Sequence, residues 1–209
     1  MVAGALGPSE IEIDNYKKSM MYNVSKTELL KMRKNLVLQT VVPILENKGF
    51  VKAPFSSSNY GYVNSHIYIY EMCRLVDNQY LEVVSVSLSR EDKYIKVHIN
   101  VFELSPPIGD LSLLKQIDGI NFWIPPNIEK QMRIDLDFIK IPPIISWDFW
   151  FKDFKLKFYF TREGYQKRVN QLTTLLKIKI GNIDSYFREW HQYHHPNITK
   201  WNGCVISQT

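Results

Sequence analysis

His66-Ile-Tyr-Ile-Tyr-Glu-Met-Cys-Arg74, Tyr80-Leu-Glu-Val-Val-Ser-Val-Ser-Leu-Ser89 and Tyr94-Ile-Lys-Val-His-Ile-Asn-Val-Phe102 are three apolar runs separated by short polar turns. They are rich in β-branched and aromatic residues, which suit a pleated, half-buried surface, and they predict an antiparallel meander. The last turn sets the register. With Glu91 and Asp92 as a two-residue loop, Leu88 faces Ile95, Val86 faces Val97 and Val84 faces Ile99. On the other face Ser89 lies opposite Tyr94, Ser87 opposite Lys96 and Ser85 opposite His98, with Asn100 further along. Both strands agree in parity, and a slip of one residue would turn every apolar side chain the wrong way. The expectation is a sheet with one core face and one wet or lightly covered face.

Helices are expected on either side of this meander. Ser25-Lys-Thr-Glu28 fits a capping box, and Leu30, Val37, Val41, Ile44 and Leu45 recur at helical spacing behind it. Gly49 is placed to stop that helix in the left-handed conformation, returning Phe50 to the core. Pro43 lies inside the pattern and predicts a kink or a tightened last turn. Near the other end, Tyr165, Val169, Leu172, Leu176, Ile180, Ile183, Phe187 and Trp190 form one sustained helical stripe, with Thr161 as N-cap and His195-Pro196 as the stop. Gly181 interrupts the stripe, which fits either one long helix or two joined near Asn182. Asp110 is placed to cap a short helix toward Ile117, and Leu156, Phe158 and Phe160 alternate with lysines like a strand.

The fold class that follows is α+β: an antiparallel β-meander of about four to six strands, packed by an N-terminal helix and a long C-terminal helix. At 209 residues with 45% hydrophobic content the chain has enough apolar material for one sizeable core. Residues 21–196 are expected to form that single domain, between a flexible leader (1–20) and a flexible tail (197–209). No apolar run reaches the roughly 18 residues of a membrane span, and the N-terminus lacks the basic start of a secretory signal. Cys73 and Cys204 are too few and too far apart for a disulfide framework, so reduced cysteines in a cytoplasmic protein are expected. A net charge of +5 is scattered along the chain, whereas a nucleic-acid binder gathers its charge into a stripe.

Three groups of residues offer chemistry. On a helix, His191, His194 and His195 would stand three and four residues apart, a spacing from which imidazoles converge on a metal ion. Gln192 stands where a zincin motif has its glutamate, and histidines at a helix end also complement the dipole. His98 sits mid-strand beside Ser85, Ser87, Lys96 and Asn100, a setting for general-base or nucleophilic chemistry, or for plain structural hydrogen bonds. No Gly-x-Ser-x-Gly elbow presents a nucleophile, and no phosphate-binding glycine loop or Cys-x-x-Cys site is present. Finally, an aromatic band holds Phe122, Trp123, Trp147, Phe149, Trp150, Phe151, Phe154, Phe158, Tyr159 and Phe160. It reads as core, as a partner-binding surface anchored by Trp123, Trp147 and Trp150, or, with Lys152, Lys155 and Lys157, as a stacking platform for single-stranded nucleic acid.

Val41-Val-Pro-Ile-Leu-Glu-Asn-Lys-Gly-Phe50, followed by strands over residues 84–89 and 96–102, resembles small bacterial α+β domains of unknown function, in which a helix ending in a Lys-Gly-Phe-like turn precedes a meander. The resemblance covers about residues 30–104, and residues 122–160 depart from it. It carries no catalytic residues, and it implies an immunity-like or adaptor role. The leading expectation is therefore a non-enzymatic, cytoplasmic protein-binding module without a cofactor, able to self-associate. A metal-dependent hydrolase or nuclease built on the histidines, and a single-stranded nucleic-acid binder, are the alternatives.

Overall fold

A computed structural model of the chain describes residues 22, 24–115, 117–134, 154–157 and 159–206. The meander forms as its pattern predicts. Strands β1 (Val51–Lys52), β2 (Tyr60–Asn64), β3 (Ile67–Val76), β4 (Tyr80–Ser89), β5 (Ile95–Leu104), β6 (Met132–Arg133) and β7 (Asn197–Thr199) make one seven-stranded sheet among the described residues. β3, β4 and β5 are its centre; β1 and β2 pair with β3, and β6 and β7 pair with β5. All pairings are antiparallel except β5 with β7, which is parallel. Leu88 faces Ile95, Val86 faces Val97, Val84 faces Ile99 and Ser85 faces His98, the register that alternation required.

The first helical segment begins at a complete capping box: the Ser25 hydroxyl accepts from the Glu28 backbone N–H, and the Glu28 carboxylate accepts from the Ser25 N–H at 2.9 Å. It runs as α1 (Lys26–Leu36), a π-helical turn (Val37–Val41) and α2 (Val42–Asn47). The wide turn is Pro43's doing. A proline ring crowds the carbonyl four residues back and offers no N–H, so the chain opens to five-residue bonds just before it, with Val42 N–H donating to Val37. At the far end Gly49 adopts φ +82°, Gly49 N–H donates to Glu46 and Phe50 N–H to Leu45, a Schellman closure. Phe50 is thereby returned to the core, stacked on Phe187 at 5.9 Å.

The C-terminal stripe folds as two helices, α3 (Arg162–Gly181) and α4 (Ile183–Tyr193), broken at Asn182. Thr161 caps α3 by accepting from Gly164 N–H. The stripe crosses the break intact, and all eight of its residues from Tyr165 to Trp190 are buried. With α1 and α2 they close the helix-side core over Val84, Val86, Leu88, Ile95, Val97 and Ile99. Arg33 of α1 is 1% exposed and reaches the β4–β5 hairpin, donating to the Ser89 and Tyr94 carbonyls at 3.0 Å and to Asp92 at 3.3 Å. Burial lowers its pKa and Asp92 opposes that shift, so a charged group is held in a nearly dry place by acceptors from the turn it clamps.

The opposite face departs from expectation. It is not simply wet: Cys73, Leu81, Val83, Phe102 and Leu104 pack there with Phe55, Ile108, Leu114, Ile120 and Phe122 into a second core. The cover comes from largely irregular chain at residues 105–115 and 117–131, in which the Asp110-capped helix is only a 3-10 turn, Leu111–Leu114. Asn127, 4% exposed, pins this cover: its carbonyl accepts from the Asn100 side chain at 2.8 Å, its side chain donates to the Asn121 carbonyl, and it accepts from Asn197. The tail expected to be mobile contributes β7 beside β5 and a small closure in which Ile206 N–H donates to Ile198. The strand expected at residues 156–160 reduces, among the described residues, to one bridge between Tyr94 and Lys155, with Phe154 and Leu156 buried on either side.

Candidate functional site

The second sheet face changes character along its length. At one end lies the second core; toward the β4–β5 hairpin the same strands carry Glu71, Ser85 and His98, then Ser87 and Lys96. Strand pairing sets Glu71 beside Ser85, Ser85 beside His98 and His98 beside Arg133, one polar row across four strands. Alternation dictates this row, because Leu81, Val83, Ser85 and Ser87 share a face.

Trp123 covers the row. It stands on the loop pinned by Asn127, its backbone N–H donating to the Asn121 side chain at 3.0 Å, and its indole meets the His98 ring edge-on at 5.1 Å. Beneath it, burial pushes the Glu71 carboxyl above its ordinary value, opposed by the Asn59 backbone N–H at 2.7 Å and by the nearby Trp123 indole. That indole acts on Glu71 without closing a hydrogen bond of good geometry. Burial likewise pushes His98 down to about 3, aided by Arg133 and Lys96, so its imidazole is neutral. Ser85 is 0% exposed, and Ser85 Oγ, His98 Nδ1 and Trp123 Nε1 have no hydrogen-bond partner among the described residues. Buried polar atoms without partners are rare; these three lie close together, and a fourth, the Tyr70 hydroxyl, lies in the helix-side core.

Next to them is a pocket of about 300 Å³ lined by Ile67, Ile69, Ser87, Leu88, Ser89, Asp92, Lys96 and Trp123. Lys96 Nζ lies 2.6 Å from Asp92, the carboxylate that also accepts from Arg33. A larger concavity of about 810 Å³ follows α3, but the described residues lining it all belong to that helix, which makes it a one-walled surface.

Of the residues singled out from sequence, Ser87 and Trp123 line this pocket, and Ser85 and His98 are cross-strand neighbours further along the same face, outside its lining. Trp147, Trp150 and Lys152 lie outside the described residues. Elsewhere in the aromatic band Phe122 and Phe154 are core. The histidines do not share a helix: α4 ends at Tyr193 and His194 is already extended. The His191 and His194 rings lie 5.1 and 5.2 Å from Trp190, and the His195 carbonyl accepts from Lys130. Among the described residues no three His, Cys, Asp or Glu side chains are grouped to hold a metal ion. Sequence reading missed Glu71, Ile67 and Ile69; the parity of β3, carried over from β4, was the available signal. No helix among the described residues is long and apolar enough to cross a membrane. No family model, curated protein or solved structure matches the chain.

Proposed function

We propose that the protein is a non-enzymatic binding module, immunity-like or adaptor in kind, that seats a partner protein at the Trp123 pocket. One observation carries this reading: half-buried Trp123, Ile67 and Ile69 line a pocket of about 300 Å³ together with Ser87, Ser89 and the Lys96–Asp92 ion pair. Tryptophan is enriched among the residues that anchor protein interfaces. The same geometry disfavours nucleophilic catalysis, since the Ser85 hydroxyl is fully buried and bonds neither His98 Nδ1 nor anything else described. Cys73 is buried, Cys204 is exposed, and both are free thiols, which supports a reducing, cytoplasmic setting.

Capture from a lysate of the source cells tests the proposal. Ser87→Trp fills the pocket from the sheet, while Ile178→Ser alters the exposed surface of α3. Proteins retained by the wild type and by Ile178→Ser are expected to be lost from Ser87→Trp, with the three melting temperatures close together. Retention of the same proteins by Ser87→Trp would sink the reading.

A further inference from the structure

β2 is an edge strand: among the described residues it pairs with β3 and with no strand on its other side. The alternation of the antiparallel ladder says which of its backbone groups face outward. Glu71 N–H donates to the Asn59 carbonyl at 2.9 Å, one step beyond the register in which Tyr60 faces Tyr70. Asn59 and Gly61 therefore turn their backbone groups toward β3, and Tyr60 and Tyr62 turn theirs away from it. Two N–H and two C=O groups thus stand in a row on an open edge. Tyr62 is 66% exposed there, and a Cβ placed on Gly61 would meet nothing within 4 Å.

Sheet edges are commonly blunted by charged side chains. This one is not: residues 53–70 hold no Lys, Arg, Asp or Glu, the longest such stretch in a chain with 26 basic and 21 acidic side chains. The register of β2 against β3 slips between Tyr62 and Asn64, so the regular edge ends at Tyr62. Within that limit one antiparallel register of the strand with its own copy uses all four outward groups. Tyr60 lies opposite the second copy's Tyr62, Gly61 opposite Gly61, and Tyr62 opposite Tyr60. The two glycines meet as a non-hydrogen-bonded pair, the closest backbone approach in a ladder, with no side chain between them. Tyr60 already packs edge-on against Tyr70 at 5.4 Å and Tyr62 against Tyr68 at 5.7 Å, so the pairing would extend each into a row of four rings. No charged side chain of the paired segment meets its like, although each copy carries a net charge of +5. Symmetry supplies a tyrosine at both facing positions, which favours a second copy over an unrelated strand.

We propose that β2 is a self-association edge, through which two copies of the chain pair antiparallel over Tyr60–Tyr62 about a twofold axis at Gly61, joining their sheets into one. The contact is small, below the roughly 1,200 Å² of a standard interface, so the association is weak and reversible. An axis between paired antiparallel strands stands normal to the sheet, and it keeps like faces together. Both Trp123 pockets therefore open on the same side of the dimer.

Sedimentation equilibrium of the full chain from ~5 µM to ~1 mM tests the association, a range that brackets small interfaces. A shift from monomer to dimer across it is expected. Between the two ends of the range, amide hydrogen exchange should slow by at least about fivefold at Tyr60 and Tyr62, whose N–H groups face outward, and change less at Gly61, whose N–H faces β3. The register is tested by disulfide capture in a Cys204→Ser background, since directly opposite residues lie within bridging distance and residues two positions off do not. Tyr60→Cys mixed with Tyr62→Cys should cross-link at least about tenfold faster than either variant alone. A monomer at every concentration, exchange at Tyr62 that ignores concentration, or equal cross-linking in the mixture and the single variants would each overturn the proposal. The Trp123 pocket plays no part in these outcomes, so the docking reading stands or falls separately by Ser87→Trp.

Discussion

Ile99 and Ser85 come from neighbouring strands of one sheet, each is 0% exposed, and they sit on opposite faces. Ile99 lies in the core closed by the N-terminal helices and by the apolar stripe that runs from Tyr165 to Trp190. Ser85 is enclosed by irregular chain and a tryptophan, with a buried glutamate and a neutral histidine beside it. Equal burial thus conceals opposite energetics. On the helix side the buried surface is largely apolar, with the Tyr70 hydroxyl as its unpartnered polar atom; on the loop side Ser85 Oγ, His98 Nδ1 and Trp123 Nε1 are all held out of water without partners among the described residues.

The sharpest way to break this contrast is to cut both cores. Ile99→Ala on the helix side and Phe102→Ala in the second core should each destabilise by roughly 3 kcal/mol or more, as large-to-small changes at fully buried sites do. Urea titration reads this. If Phe102→Ala costs far less than Ile99→Ala, the loop-side cluster is a loose cover rather than a second core.

A middle-sized effect comes from His98. Its folded pKa is lowered to about 3 from an ordinary 6.5, so between those values the unfolded chain takes up a proton that the folded chain refuses. Stability from this group is complete above pH 6.5 and is lost on acidification, by at most about 1.4 kcal/mol per pH unit. Glu71 works in the opposite sense: its raised pKa means the folded protein holds the proton more tightly, so its share falls as pH rises above 4.5. Urea midpoints at pH 6.5 and 5 for Glu71→Gln and Glu71→Gln/His98→Asn isolate the histidine. The double variant should show the flatter pH dependence, and parallel curves would mean that His98 is hydrated in solution.

The smallest effect carries the most diagnostic sign. Ser85→Ala removes a buried hydroxyl that bonds nothing described, and it should be neutral or stabilising by up to about 1 kcal/mol in the same titration. A loss above about 1 kcal/mol would show that the hydroxyl has a hydrogen-bond partner in solution and that the two faces do not differ in this way.

What the chain determines by itself is its local and periodic structure. The Ser25–Glu28 cap, the Gly49 closure, the stripe to Trp190 and the β4–β5 register all follow from residues within a few positions of one another or from alternation, and each stands as the pattern predicts. Even the shared face of Ser85, Ser87 and His98 is legible, because side-chain parity is a local property. Only the tertiary structure decides what lies over that face. Trp123 reaches His98 across 25 positions, a separation read from their numbers, through a loop whose place depends on Asn127 meeting Asn100 and Asn197. Arg33 likewise finds its acceptors 56 to 61 positions away. Such contacts leave no period in the sequence, since they are made by irregular chain whose course is set by what it packs against. The sheet was therefore readable from the residues, and the pocket was not.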